Sequence, residues 1–109
     1  MPYNSFIAGG IRDLLAHKLN IEEKKMFGGI GFLLNGNMLV GVWKDSLIVR
    51  LGIDAYEQAL MEPNVKEFDL TGRPMKGWVM VEPEGIEEDD QLKTWIERAT
   101  KFVETLPAK

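Results

Sequence analysis

The amino-acid sequence predicts an α+β fold of two layers, an antiparallel sheet of about five strands with helices packed on it. Three observations carry this prediction. The hydrophobic period changes from that of a helix to that of a strand and back, tight turns separate the strands, and 109 residues suit one core. We therefore expect a single domain over residues 1–109, in the order α-β-β-β-α-β-β-α. A doubly wound parallel sheet is excluded, because its crossovers need about a dozen residues or more.

The first predicted element is a helix whose apolar stripe runs from Ile7 to Leu19. Either Asn4 or Ser5 is expected to cap it, because a short polar side chain accepts hydrogen bonds from first-turn N–H groups. Gly9 and Gly10 are weak helix formers. Either another element packs closely against them, or tertiary packing stabilises a poor helix.

Residues 24–51 change to a period of two and predict a three-stranded antiparallel meander. Asn35-Gly36 is a strong hairpin signal, and residues 44–46 form a second tight turn. Gly28-Gly29 is interpreted as a bulge or sharp bend that breaks the first strand. The alternating apolar positions are Met26, Phe32, Leu34, Met38, Val40, Val42, Leu47, Val49 and Leu51.

The second half predicts a short helix over 54–61, strands over 65–70 and 75–81, and a last helix over 91–106. Asp54 is the expected cap of the short helix. The acidic run at 87–90 precedes the last helix, where carboxylates interact favourably with the helix dipole. These acids are consecutive rather than convergent, so we expect them to stabilise the helix and not to bind a metal.

Composition argues against most catalytic chemistry. The chain has no cysteine and one histidine, which excludes disulfides, iron–sulfur clusters and a thiol nucleophile, and makes a zinc site unexpected. His17 lies near the end of the first helix, where it can interact with the helix carbonyls. No nucleophile or orienting acid can be assigned to it. We therefore expect no enzymatic activity, no catalytic residue, no cofactor and no metal.

Charge disfavours direct binding to DNA. The net charge is −4, and residues 1–81 are balanced, so all of the excess acid lies in residues 82–109. The long-range field of an acidic chain opposes the phosphate backbone, although a local basic patch is still compatible with it. No targeting signal or bilayer-length apolar run is present in the sequence, so we expect a cytoplasmic protein without membrane contact.

A loop between the last two predicted strands is the candidate binding patch. It places the cations Arg73 and Lys76 beside the apolar pair Pro74 and Met75, close to Trp78. Arginine and aromatic anchors dominate the energetics of protein interfaces, although charged turns are often only solvated. The glycines at 28, 29 and 31 do not suit a phosphate loop, because the GK[ST] ending is missing and a strand follows instead of a helix.

Several sequence motifs of this chain resemble those of a known family. The run Lys25-Met26-Phe27-Gly28-Gly29-Ile30-Gly31-Phe32, followed by Asn35-Gly36, is similar to the opening of the TfoX N-terminal domain, found in bacterial TfoX/Sxy competence regulators. The later Phe68, Trp78 and Trp95 also resemble that family. The resemblance implies an α+β fold in which Lys25, Met26, Phe27, Gly28, Gly29 and Gly31 are structural. It further implies regulation of transcription through a partner such as a cyclic-AMP receptor protein. The chain ends at Lys109, so we expect a stand-alone domain without the C-terminal helical domain of larger members.

Two functional hypotheses remain open. In the first, the domain is a non-enzymatic interaction module that binds a protein partner, such as transcription machinery, through a strand edge or the Arg73–Trp78 patch. In the second, it binds a small ligand, or acts as an enzyme, in a cleft between the sheet and the terminal helix. An unprotected sheet edge would also allow a homodimer.

Overall fold

The computed structural model describes residues 4–26, 28–69 and 72–109. Its elements confirm the α+β class, with helices packed on an antiparallel sheet. Along the chain they are α1 (Ser5–Leu14), β1 (Ile21–Met26), β2 (Gly29–Leu34), β3 (Asn37–Trp43), β4 (Ser46–Arg50), α2 (Ile53–Leu60), β5 (Val65–Glu67), β6 (Trp78–Val81), a short 3-10 helix (Pro83–Gly85) and α3 (Asp89–Val103).

The sheet has six strands in the order β1-β2-β3-β4-β6-β5, and every neighbouring pair is antiparallel. It has one strand more than expected, because the predicted bend at Gly28-Gly29 is a complete hairpin turn. Met26 is paired with Gly29, and Gly28 has a φ of 79°, which suits a residue without a side chain. The predicted first strand is therefore two strands, β1 and β2.

The other two turns of the meander are where the sequence predicts them. Asn35 and Gly36 have φ values of 54° and 83°, as a type I′ turn requires. β3 ends at Trp43 and β4 begins at Ser46, so the second tight turn is confirmed.

Helix α1 is capped as expected but is shorter than its predicted stripe. The Asn4 side chain accepts hydrogen bonds from the backbone N–H groups of Phe6 and Ile7, at 2.9 and 3.2 Å. The helix ends at Leu14, and Leu19 is 83% exposed in the connection to β1. A Cβ at Gly10 would lie 2.9 Å from Leu92 Cδ2, so α3 does pack closely against this turn.

The boundaries in the second half differ from prediction by a few residues. α2 begins at Ile53, and Gly52 occupies its N-cap with no side-chain hydrogen bond, so the prediction of Asp54 as the cap is wrong. β5 stops at Glu67 and β6 starts only at Trp78, which leaves a long connection that includes the predicted patch except for Trp78.

The acidic run lies at the start of α3. Asp89 and Asp90 occupy its first turn, and the Gln91 side chain accepts a hydrogen bond from the Glu88 backbone N–H at 2.9 Å. The run therefore belongs to the N-terminus of this helix, where carboxylates are favourable.

All three helices pack on one face of the sheet, and the main core lies between the two layers. The residues predicted to face inward on α2 and on α3 contribute to this core, including the fully buried Ala59 and Ala99. Within the described residues, no helix is long and apolar enough to cross a membrane.

Candidate functional site

A second, smaller apolar cluster lies on the other face of the sheet. Ile48, Phe68 and Met80 are buried there, and Trp43 and Trp78 pack against them half-exposed. These residues come from strands and loops, and no helix of the described chain contributes to the cluster. This face of the sheet therefore carries an apolar cluster, although the helices cover only the opposite face.

A groove of about 220 Å³ runs over this face. We call it the apolar groove. It is lined by Met26, Gly29, Ile30, Met38, Gly41, Val42, Trp43, Ile48, Phe68, Met75 and Trp78. Three flexible methionines and two tryptophans are among its eleven lining residues, a composition that suits adaptable apolar contacts.

Paired glycines lie beneath two methionines of the apolar groove. Gly31 on β2 is paired directly with Gly41 on β3, so the sheet presents no side chain at this cross-strand position. A Cβ at Gly31 would lie 2.6 Å from the Met38 methyl carbon and 3.2 Å from that of Met26. The two methionine side chains therefore occupy the space that a larger residue at position 31 would fill.

A β-bulge brings Met38 to the apolar groove. Leu33 pairs with Met38 and Phe32 pairs with Val40, so Leu39 is the extra residue of β3. Leu39 and Val40 are both completely buried in the main core, and Met38 lies on the opposite face. The prediction that Met38 shares a face with Val40 is therefore wrong, because alternation does not continue through a bulge.

Several residues of the predicted structural motif surround this groove. Met26 and Gly29 line it, Gly31 lies beneath Met26, and Lys25 is exposed on β1. A Cβ at Gly29 would overlap the backbone carbonyl oxygen of Val42, so β2 and β3 could not approach as they do. The structural role predicted for these glycines fits this packing. The predicted role of Phe27 lies outside the described residues.

Only two residues of the predicted binding patch lie at the apolar groove. Met75 and Trp78 line the apolar groove, and the loop backbone is tied by a hydrogen bond from the Met75 N–H to the Phe68 carbonyl at 3.0 Å. Arg73, Pro74 and Lys76 are exposed and do not line the groove.

Trp43, Ile48 and Phe68 also line the groove and were not predicted as site residues. A signal for Trp43 and Ile48 was present, because the runs 38–43 and 47–49 are continuously apolar instead of apolar at every second position. Continuous apolar strands indicate burial on both faces of a sheet.

Cations surround the apolar groove. Lys24 lies on the same face of β1 as Met26, the Lys44 Nζ is 4.6 Å from the centroid of the Trp43 ring, and Arg73 and Lys76 flank Met75. None of these four cations forms an ion pair within the described part of the chain. A fifth cation, Arg50, lies over the Trp78 ring with its Cζ 5.2 Å from the centroid.

The interface between the sheet and α3 is filled by buried side chains. A separate polar cleft lies between α1 and α3. His17 is on its wall, together with Lys18, whose Nζ is 3.2 Å from the Glu104 carboxylate. Among the described residues, no group of three histidine, aspartate or glutamate side chains is placed to hold a metal ion.

Among the residues that the structure describes, two titratable groups have displaced pKa values, and both lie on the helix side of the sheet. Burial raises the pKa of Tyr56, and the Glu67 carboxylate, which accepts its hydrogen bond at 3.2 Å, raises it further. The hydrogen bond from the Arg12 guanidinium lowers the pKa of Glu23 against a smaller opposing effect of burial. These interactions join a helix to an edge strand in each case.

Fold and surface together define a small α+β domain with helices on one face of its sheet and an apolar groove on the other. Residues 13–103 match the family model of the TfoX N-terminal domain. The chain therefore belongs to the TfoX N-terminal domain family. No curated protein and no solved structure matches the chain.

Proposed function

We propose that this chain is a non-enzymatic interaction domain that binds a protein partner through the apolar groove and acts in transcriptional regulation in the cytoplasm. Membership of the TfoX N-terminal domain family supports a regulatory role. The observation that carries the proposal is the apolar groove itself. Aromatic and methionine side chains that converge on an open surface are typical of protein-binding sites.

The strand edges are less suitable docking sites than the apolar groove. Edge strand β1 carries two glutamates and two lysines in its middle, and edge strand β5 is only three residues long. Charged and short edge strands disfavour the addition of a further strand. The groove offers buried apolar area, which is the main source of binding energy between proteins.

A photo-crosslinking experiment in cells tests the proposal. A photoreactive methionine analogue or aromatic residue is placed at position 75, on the groove wall, where the native Met75 is 38% exposed. The matched control carries the same group at Met61, which is 85% exposed after α2 and far from the groove lining. We expect a discrete protein adduct from position 75 and none from position 61.

Identification of the adduct by mass spectrometry tests the regulatory part. A component of the transcription machinery, or a transcription factor, supports it. Equal adducts from both positions, or none from position 75, would contradict the groove as the binding surface.

A further inference from the structure

We infer that the apolar groove binds a short acidic peptide segment of its partner, in which one or two large apolar side chains are flanked by Asp or Glu. This inference rests on the proposed function and specifies the chemistry of the partner. Its support comes from the size of the groove, from the charges around it and from the unsuitability of a second copy.

Size favours the side chains of a peptide over an enclosed small molecule. The groove measures about 220 Å³. Sites that enclose a drug-sized ligand or cofactor are typically about 300–1,000 Å³. Its lining also offers almost no polar side chain that could orient a small molecule. One or two aromatic or aliphatic anchors of a peptide need only this apolar volume.

Charge selects an acidic peptide. The four cations Lys24, Lys44, Arg73 and Lys76 stand around the groove without acidic partners in the described chain. The acids near the groove are fewer. Exposed Asp69 follows Phe68, Glu22 lies further along β1, and exposed Asp45 follows Lys44 and accepts a hydrogen bond from the Asn4 side chain at 3.0 Å. Lys66 and Glu82 on that side neutralise each other at 2.8 Å. Complementary charges around an apolar centre speed association and exclude basic partners.

A symmetric dimer through the groove does not supply the required occupant. A symmetric dimer is self-complementary, so two apolar grooves facing each other would bring the same cations together. The acidic segment 87–90 is exposed, but its apolar neighbours Ile86 and Leu92 are buried in their own core. That segment therefore has acidic groups to offer and no apolar anchor.

Binding of designed peptides to the full chain tests the inference by fluorescence anisotropy. The probe is a short labelled peptide that places Leu and Trp among Glu and Asp residues. One control replaces every acid by Lys, and another replaces Leu and Trp by Ser. A single-stranded oligonucleotide of similar length is the fourth probe. We expect saturable binding of the acidic apolar peptide alone, weakened by salt.

Charge reversal in the protein provides the second arm. Arg73→Glu combined with Lys76→Glu should weaken binding of the acidic apolar peptide at least about fivefold, because attraction becomes repulsion. The matched control is Lys93→Glu combined with Lys101→Glu, two exposed lysines of α3 on the opposite face. We expect the control to bind normally, and circular dichroism verifies that both variants fold.

The outcomes separate this inference from the function on which it rests. Equal binding of the acidic and basic peptides, preference for the oligonucleotide, or an equal loss in both double variants would overturn the acidic-peptide inference. If no peptide binds while the crosslink from position 75 persists, the acidic-peptide inference fails and the proposed function survives. If the crosslink is also absent, both fail.

Discussion

At the scale of single residues, the glycines of this chain differ in what a side chain would meet. A Cβ at Gly29 would overlap the Val42 carbonyl oxygen, which belongs to the backbone of the neighbouring strand and cannot rotate away. A Cβ at Gly9 would meet nothing within 4 Å. Neither glycine has a positive φ, so the difference between them is one of space alone.

This comparison predicts opposite effects of the same substitution. Gly29→Ala should lower the free energy of unfolding by about 1–3 kcal/mol, because β2 and β3 must move apart. Gly9→Ala should raise it by about 0.5–1 kcal/mol, since alanine favours the helix. Urea unfolding of both variants measures the two effects. A stable Gly29→Ala protein would contradict the close approach of the strands at this position.

At the scale of elements, an ion pair ties α1 to the edge strand β1. The Arg12 guanidinium donates two hydrogen bonds to the Glu23 carboxylate, at 2.7 and 2.8 Å. Such a bidentate geometry is the strongest form of a carboxylate pair, but both side chains are at least one third exposed. Solvent therefore screens the interaction, and its contribution is modest.

The pair makes one contribution to stability depend on pH. Because the pKa of Glu23 in the folded chain lies below its ordinary value of 4.5, this stabilisation is present above pH 4.5 and is lost as pH falls below it. Glu23→Gln should cost about 0.2–1 kcal/mol at neutral pH and less at pH about 3, where the carboxylate is more protonated. Urea unfolding at the two pH values measures the difference. The control Glu57→Gln changes an exposed residue without an ion pair, and a matching pH dependence there would refute the assignment to Arg12.

Elements defined by local signals could be predicted from the sequence. The stripe of α3 and the Asn35-Gly36 turn depend on neighbouring residues only, and both are confirmed. The hairpin at Gly28 and the bulge at Leu39 were not predicted, because each depends on how two strands pair. The apolar groove was found only in part for the same reason. Met75 and Trp78 are near in sequence, whereas Trp43 and Ile48 join them only through the sheet.

At the scale of the whole molecule, self-association through the sheet is disfavoured by charge. In a two-fold antiparallel pairing of β1 with its copy, opposed side chains share a face, so one residue must lie opposite itself. Every central residue of β1, from position 22 to position 25, is charged. A pairing centred on any of these residues therefore sets one like-charged pair face to face, and charged edge strands disfavour the addition of a further strand.

We accordingly expect the isolated chain to be monomeric. Light scattering coupled to size exclusion should give a mass near 12.4 kDa at low and at high protein concentration. The control is the double variant Glu22→Thr with Lys24→Thr, which removes charge from one face of β1 and should show more self-association. A stable dimer of the unmodified chain would contradict the argument from β1.

The apolar groove combines a rigid backbone with flexible lining side chains. Its floor is hydrogen-bonded sheet that includes Gly29 and Gly41, whereas Met26, Met38 and Met75 can change rotamer at little cost. Apolar partner side chains of different shapes can therefore fit without a change in the backbone. The shape of those side chains alone then distinguishes poorly between partner peptides. On the binding mode inferred above, selection among partners then depends on the lysines and the arginine around the groove, and we expect exchange of these few surface charges to change which partner binds without changing the fold.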